Sequence, residues 1–452
     1  MPNLSRYLFV TNRGPLQPGP DSHTLIRSGG GLASGLIGLM DQDNAQTIQW
    51  LFPISAEAEL QAASEGRYQA VQPGFHPAPV DARDHATAYQ AIANEYYWYL
   101  FHGLFDLSFE PIINQAFYDA YDRYRSFNTQ MADAACRLDL AETMVIINDY
   151  HLMLMPQLLR ERGFDGPIAL FFHTPICTAA EAMLIPTRLR DELARSFAAS
   201  SVIGLHADHW RQNLLESFGH HGPTLPPTVI APLPADASAI LSSLTDADIA
   251  QERERLEPLS MGLPTILRVD RIEPSKNLLR GVYAIDEMLR HHPSEAGNFR
   301  ALLFAYPSRS TIPKYRRLTA ELETLVREVN ERWGRHGWDP IYLDLSDHPS
   351  RSLASYQIFD ALLVNPLRDG LNLVAFEAAL AAKPNAQIVL STEAGAAEHI
   401  GSWLELINPL DIGETADALG RALNGGDLDP VRSWTRQNTW TKWLETISAA
   451  VR

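Results

Sequence analysis

Two cations, Arg271 and Lys276, stand five residues apart just after the strand-like run 265–269. A guanidinium is a rigid fork of donors and an ammonium is a point charge. Together they suit a diphosphate whose charge grows as it departs. A lone lysine would read as surface charge, but a paired one at a strand end asks for an anion. A second group follows the apolar run 361–364, where Arg368, Asp369, Gly370 and Asn372 fill a short loop ahead of an Ala- and Leu-rich stretch, 373–383. Asp369 offers two acceptor oxygens to vicinal hydroxyls, and Glu377 stands ready for a second diol such as a ribose. Gly370 lets backbone approach a ligand closely, and the N–H groups opening a helix favour an anion. The competing reading of the same loop is an Arg368–Asp369 ion pair with Asn372 as a helix cap. In the N-terminal half, Arg13 follows the strand-like run 7–11, and Gly29, Gly30 and Gly31 precede an apolar helical run, 32–40, which makes an anion cradle. Asp149 and His173 end two further strand-like runs, 145–148 and 168–172, so parallel strands would deliver both to one edge.

The elements that must position these groups alternate strand, loop and helix, the pattern of doubly wound α/β domains. At 452 residues the chain is long enough for two domains, and 46% hydrophobic with 20% charged residues is ordinary globular composition. The proline-rich 222–234 and the polar 236–259 place the junction, giving domains 1–235 and 236–430 and a terminal helix over 431–452. A net charge of −17 argues against nucleic acid and anionic membrane as partners. Two cysteines, Cys136 and Cys177, make neither a disulfide framework nor a zinc site and fit a reducing cytoplasm. No signal peptide or membrane-spanning run is visible. No Gly-x-Gly-x-x-Gly follows a strand, which removes a dinucleotide oxidoreductase.

The run Pro-Leu-Arg-Asp-Gly-Leu-Asn-Leu-Val-Ala-x-Glu, 366–377, resembles the donor-binding loop of the trehalose-6-phosphate synthase family of retaining glycosyltransferases. The resemblance extends in order to Asp149-Tyr-His-Leu, to the Phe-x-His ending at His173, to Arg271–x4–Lys276 and to Pro-Ser-Arg309. It also covers Tyr89, Asn94, Trp98 and His102 at family spacing. The run 268–277 is most similar to an actinobacterial-type branch. The resemblance implies a GT-B fold, with two Rossmann-like domains facing across a cleft and the terminal helix packing back on the first. It implies transfer of glucose from a nucleoside diphosphate to glucose 6-phosphate, giving α,α-trehalose 6-phosphate. The catalytic set would be Asp149, His173, Arg271, Lys276 and Asp369. The acceptor would be held by Arg13, Tyr89, Trp98, Asp149 and Arg309. The donor would be held by Gly31, His173, Arg271, Lys276, Asp369, Gly370, Leu371, Asn372, Leu373, Val374 and Glu377. Arg271 and Lys276 would serve the diphosphate without a metal or other cofactor. The partners are the nucleotide-sugar and sugar-phosphate substrates, with room for a homo-oligomer.

The chain departs from the family at several places. Ile176 to Ala180 replaces an aromatic–proline loop, and Pro232-Leu-Pro-Ala235 replaces a Gly-Ile/Val-Asp turn. Glu273 stands for an aspartate, Asn277 for a glycine and Phe376 for a lysine. Trp50 matches a family tryptophan near the acceptor or is a core residue. A sister activity with glycerol 3-phosphate or an aminocyclitol phosphate as acceptor is the alternative within the family, and the altered 176–180 loop keeps the aminocyclitol open. A non-catalytic paralogue that binds sugar phosphate is the alternative of another class. The nucleobase stays open.

Overall fold

The computed structural model describes residues 6–19, 24–28, 31–42, 47–220, 222–309 and 312–451. The chain forms two compact units, Met1–Leu233 with Trp440–Arg452, and Pro234–Thr439.

The first unit carries β1 (Arg6–Val10), the hairpin strands β2 (Leu16–Pro18) and β3 (Leu25–Arg27), then β4 (Ile48–Ile54), β5 (Phe75–Pro79), β6 (Thr143–Asn148), β7 (Ile168–Phe171), β8 (Val202–Leu205) and β9 (Thr228–Ile230). Seven of these make a parallel sheet in the order β5-β4-β1-β6-β7-β8-β9. The central strands β6 and β7 are buried along their whole length. That is why they read as unbroken apolar runs rather than alternating ones. The second unit carries β10 (Thr265–Ile272), β11 (Arg300–Pro307), β12 (Ile341–Asp344), β13 (Ala361–Val364), β14 (Gln387–Ser391) and β15 (Glu405–Ile407), again parallel, in the order β12-β11-β10-β13-β14-β15. The connections run outward in opposite directions from β1 and β6, and from β10 and β13. These pairs are the topological switch points, where the carboxyl ends of an open sheet leave room for a ligand.

Three elements differ from expectation. The aromatic stretch after Ala88 is a π-helix, Ala88–Tyr97, continued by α-helix Trp98–Phe101. The strand expected to stop at 269 runs to Ile272, so Arg271 sits on the strand and Lys276 ends a 3-10 turn, Pro274–Lys276. The terminal helix expected over 431–452 is two helices. Asp429–Gln437 belongs to the second unit and Trp440–Ala449 to the first. Asn438, extended at φ −88° and ψ 93°, breaks the run between them. The last helix is fixed within the first unit by Trp443, whose Nε1 donates to Ala231 O at 3.1 Å and whose ring stacks on Phe9. Gly35 makes room for Trp440, because a Cβ there would collide with the indole. No helix among the described residues is long and apolar enough to cross a membrane.

Candidate active site

In the first unit, β6 and the neighbouring β7 and β8 end in hydrogen bonds between neutral side chains, beside one carboxyl group. Asp149 follows β6 with φ 71° and ψ 175°, a backbone region almost confined to glycine that costs about 1–3 kcal/mol. Its Oδ1 accepts from His173 N at 3.3 Å and from Thr174 Oγ1 at 3.1 Å. Burial pushes the carboxyl up to about 6, against the pull of these donors toward the ionised form.

The ring of His173 is committed on both sides. Its Nδ1 lies 3.2 Å from His206 Nε2, and its Nε2 lies 2.9 Å from Asn148 Oδ1. The tautomers follow from the ends of the chain. Leu233 N–H donates to His206 Nδ1 at 3.2 Å, so the His206 proton sits on Nε2 and points at His173 Nδ1. His173 must then carry its own proton on Nε2 and donate to Asn148. The Asn148 amide donates onward to Val10 O and Ile146 O, both at 3.1 Å. Protonating His173 would set two N–H groups face to face, and burial lowers its pKa to about 3. The ring is a neutral spacer rather than an acid or base.

Arg13 is exposed, and its carbonyl accepts from Thr11 Oγ1 at 2.7 Å, which in turn accepts from Trp50 Nε1 at 2.7 Å. Trp50 is 1% exposed, so its role is to hold the Arg13 loop from within the core. Gly31 is the exposed first residue of helix Gly31–Gln42. Gly29 and Gly30 lie outside the described residues. Tyr89 is half-buried, its ring stacked on His151 at 5.8 Å. Asn94 ties the π-helix to the Asp149 turn, donating to Tyr89 O and accepting from Tyr150 OH. Trp98, at 4% exposure, packs on Tyr99 and His102, so it is not presented as Tyr89 is. The altered loop is pinned. Ile176 and Cys177 are buried, their carbonyls accept from Asn213 Nδ2 and Ser217 Oγ, and Thr178 and Glu181 form a capping box.

In the second unit the switch-point strands end in ion pairs. Lys276 Nζ lies 2.7 Å from Asp369 Oδ2, which also accepts from Asn372 Nδ2 at 3.2 Å. Arg271 Nη1 lies 3.1 Å from Glu273 Oε1, and Ser308 Oγ donates to the same oxygen at 3.1 Å. Burial alone would raise the Glu273 carboxyl, but the charges of Arg271, Arg309 and Lys276 outweigh it and hold it low. Half of the Arg271 side chain remains exposed. Arg309, at φ 45°, donates to Tyr315 OH at 2.7 Å.

The Asp369 loop is held by backbone. Asp369 N donates to Glu393 O, Gly395 N to Asp369 O, and Ala396 N to Leu371 O. Asn372 adopts φ 74° and lies two residues ahead of helix Val374–Ala381, whose cap is Leu373, so it is not the helix cap. Gly370 and Leu371 are buried in this loop, and Leu373 and Val374 open the helix. Glu377, on that helix, is pushed up to about 7 by burial.

Two departures from the family pattern explain themselves. Asn277 takes φ 60°, a left-handed conformation asparagine tolerates, and its amide donates to Asn365 O and Pro409 O. Phe376 is buried and stacks on Trp434 at 5.1 Å. Among the described residues, four of the seven non-glycine residues with positive φ, namely Asp149, Asn277, Arg309 and Asn372, lie among or beside the sequence-derived site residues. Sequence reasoning missed Asn148, Thr174 and His206, although His206 ends its strand as His173 does. It also missed the buried pair Arg268 and Asp270, two charges alternating along the buried part of β10. Among the described residues there is no group of three His, Cys, Asp or Glu that could hold a metal ion.

The sequence model of glycosyltransferase family 20 matches residues 5–221 and 227–448. The chain is 28% identical over 456 residues to the bifunctional trehalose-6-phosphate synthase/phosphatase of Thermoproteus tenax, covering 94% of this chain and 60% of that protein. It is 29% identical to the trehalose-6-phosphate synthase of Enterobacter sp. (strain 638), covering 98% and 94%. The first relatives are longer, and the chain spans only 46% to 60% of their length. A solved E. coli structure bound with UDP-2-fluoro glucose superposes with a TM-score of 0.81 at 25% identity, covering 99% of both chains. The fold is GT-B, built of two Rossmann-like α/β units.

Proposed function

The chain belongs to glycosyltransferase family 20, and on that premise we propose that it moves glucose, with retention, from a nucleoside diphosphate to glucose 6-phosphate, forming α,α-trehalose 6-phosphate. The observation that carries this reading is the charge array at the second switch point, Arg271 and Lys276 beside Asp369. The names of the relatives and the nucleotide-sugar analogue in the E. coli structure support it and make uridine the first base to try.

In this reading Arg271 and Lys276 neutralise the departing diphosphate in place of a metal. Asp369 accepts from the sugar hydroxyls that replace Lys276 on its oxygens. The backbone from Gly370 to Val374 lines the donor, and ionised Glu377 accepts from the ribose diol. Arg13 and Arg309 are the cations proposed for the acceptor phosphate. Asp149 accepts from an acceptor hydroxyl, and Tyr89 offers a ring face. With both ring nitrogens of His173 committed, it positions the Asp149 turn and the donor side of β7 rather than moving a proton. The acceptor oxygen attacks the anomeric carbon on the face the diphosphate leaves. The C–O bond to phosphate breaks, and the departing phosphate oxygen takes the acceptor proton.

The test is incubation with uridine, guanosine and adenosine diphosphate glucose, each with and without glucose 6-phosphate, in the presence and absence of EDTA. Acceptor-dependent release of nucleoside diphosphate with a disaccharide monophosphate, unchanged by EDTA, is expected. Release only with glycerol 3-phosphate or an aminocyclitol phosphate would reassign the acceptor. Binding without turnover would make the chain a sugar-phosphate sensor.

A further inference from the structure

Directly beneath Lys276, strand β10 buries a second ion pair that the proposed transfer does not use. Arg268 and Asp270 are two residues apart on the strand and so share one face. Their side chains are 2% and 7% exposed, and Arg268 Nε donates to Asp270 Oδ2 at 3.2 Å. Arg268 Nη2 donates to the carbonyl of Lys276 itself. Its Nη1 is buried with no hydrogen-bond partner among the described residues, and it fits only because position 281 is glycine, where a Cβ would collide with it. The other oxygen of Asp270, Oδ1, lies 3.9 Å from Lys276 Nζ. The charges therefore alternate: Arg268, Asp270, Lys276, Asp369.

An isolated arginine in a buried parallel strand is costly unless its charge is used. We infer that Arg268 is a positioning residue for the donor diphosphate: it neutralises Asp270 and fixes the Lys276 backbone, so that the Lys276 ammonium stays available to phosphate. This rests on the donor reading given above. Without Arg268, the buried Asp270 carboxylate would be left with Lys276 as its cationic partner, in surroundings of low dielectric where charges interact strongly. Lys276 would then be shared between two carboxylates, Asp270 and Asp369, and a diphosphate would have to compete with both. With Arg268 in place only Asp369 competes, and the sugar hydroxyls relieve it.

The test uses the full chain and calorimetric titration with uridine, guanosine and adenosine diphosphate, the corresponding nucleosides and inorganic pyrophosphate. Arg268→Gln is expected to weaken the diphosphate of the preferred base by about tenfold or more, with the nucleoside unchanged. The double variant Arg268→Gln/Asp270→Asn removes the competing anion as well and is expected to return diphosphate affinity to within about threefold of wild type. A merely structural role would weaken nucleoside and diphosphate together and would not be rescued by removing a second buried charge. Unchanged diphosphate binding in Arg268→Gln, or a folded double variant as weak as the single one, would overturn the inference alone. If the single variant does not fold, the neutral double variant decides, because loss of diphosphate binding in it contradicts the charge argument. Wild-type protein that binds none of the diphosphates would overturn this inference and the donor reading together.

Discussion

The two sheets share a topology, but the carboxyl ends of their strands carry opposite chemistry. In the first unit, Asn148, His173 and His206 pass neutral hydrogen bonds from one strand end to the next, each donor facing one acceptor. In the second, Arg271, Glu273, Lys276 and Asp369 pair as ions. A neutral directional chain fixes geometry and leaves nothing to be screened by salt. Ion pairs hold geometry less strictly but keep charge in store for a ligand that brings its own. In the proposed transfer, neutral hydrogen bonds of this kind would orient a hydroxyl and the ion pairs would absorb the charge of a leaving diphosphate.

The contrast breaks most visibly if the stored charge is removed. Arg271→Ala and Lys276→Ala should each lower kcat/KM for the donor by about 10²–10³, the scale of losing a group that stabilises transition-state charge. Steady-state kinetics at fixed acceptor concentration measures this. A loss below tenfold in both would mean that the ion pairs are structural.

Asp149→Asn is the next largest. It keeps an acceptor oxygen for His173 N–H and Thr174 but loses the charge, and should lower kcat/KM for the acceptor by about 10–10², as for a hydrogen bond to a charged group. Its stability should move the other way. The carboxyl is raised by burial from 3.8 to about 6, so the folded state holds this proton more tightly than the unfolded chain does. The stabilisation is full below the unfolded value and is lost as pH rises through the folded one. The asparagine variant should therefore melt about 2–4 °C above wild type at pH 8, and the gap should close near pH 4. A variant that melts lower at pH 8 would show that the carboxylate is satisfied where it lies.

Glu377→Gln should have the smallest effect and sharpen the comparison through pH. Burial raises Glu377 to about 7, so in wild type the donor KM should fall as pH rises from about 6 to about 8 and the carboxylate becomes able to accept from a diol. In the glutamine variant the profile should be flat across that range. A limb that survives the substitution would place the titrating group elsewhere.

Much of this was legible in the chain. The strand-like runs ahead of Asp149, Arg271 and the Asp369 loop mark the carboxyl ends of β6, β10 and β13, because a buried parallel strand is largely apolar and polar residues gather after it. Arg268 and Asp270, inside β10, are the exception. The family resemblance supplied the roles. The partners were not legible. The chain of donors through His206 and Asn148 depends on β6, β7 and β8 lying side by side, which fixes residues far apart in sequence. Trp98 matches the family by spacing. It is nonetheless buried, in a segment where its N–H bonds back to Ala93 in π rather than α fashion, which shifts the helix face. The terminal stretch reads as one helix in sequence, and the break falls at Asn438, where the backbone is extended. Phe376 and Asn277 looked like damage to the pattern and are instead locally satisfied, by a stacked indole and by two carbonyls.

Transfer with retention to a phosphorylated glucose is decided by proton NMR of the purified product, through the coupling of its anomeric protons. Two α-configured anomeric centres in one disaccharide monophosphate are the expected result. An α,β linkage, or free glucose with nucleoside diphosphate and no disaccharide, would contradict it.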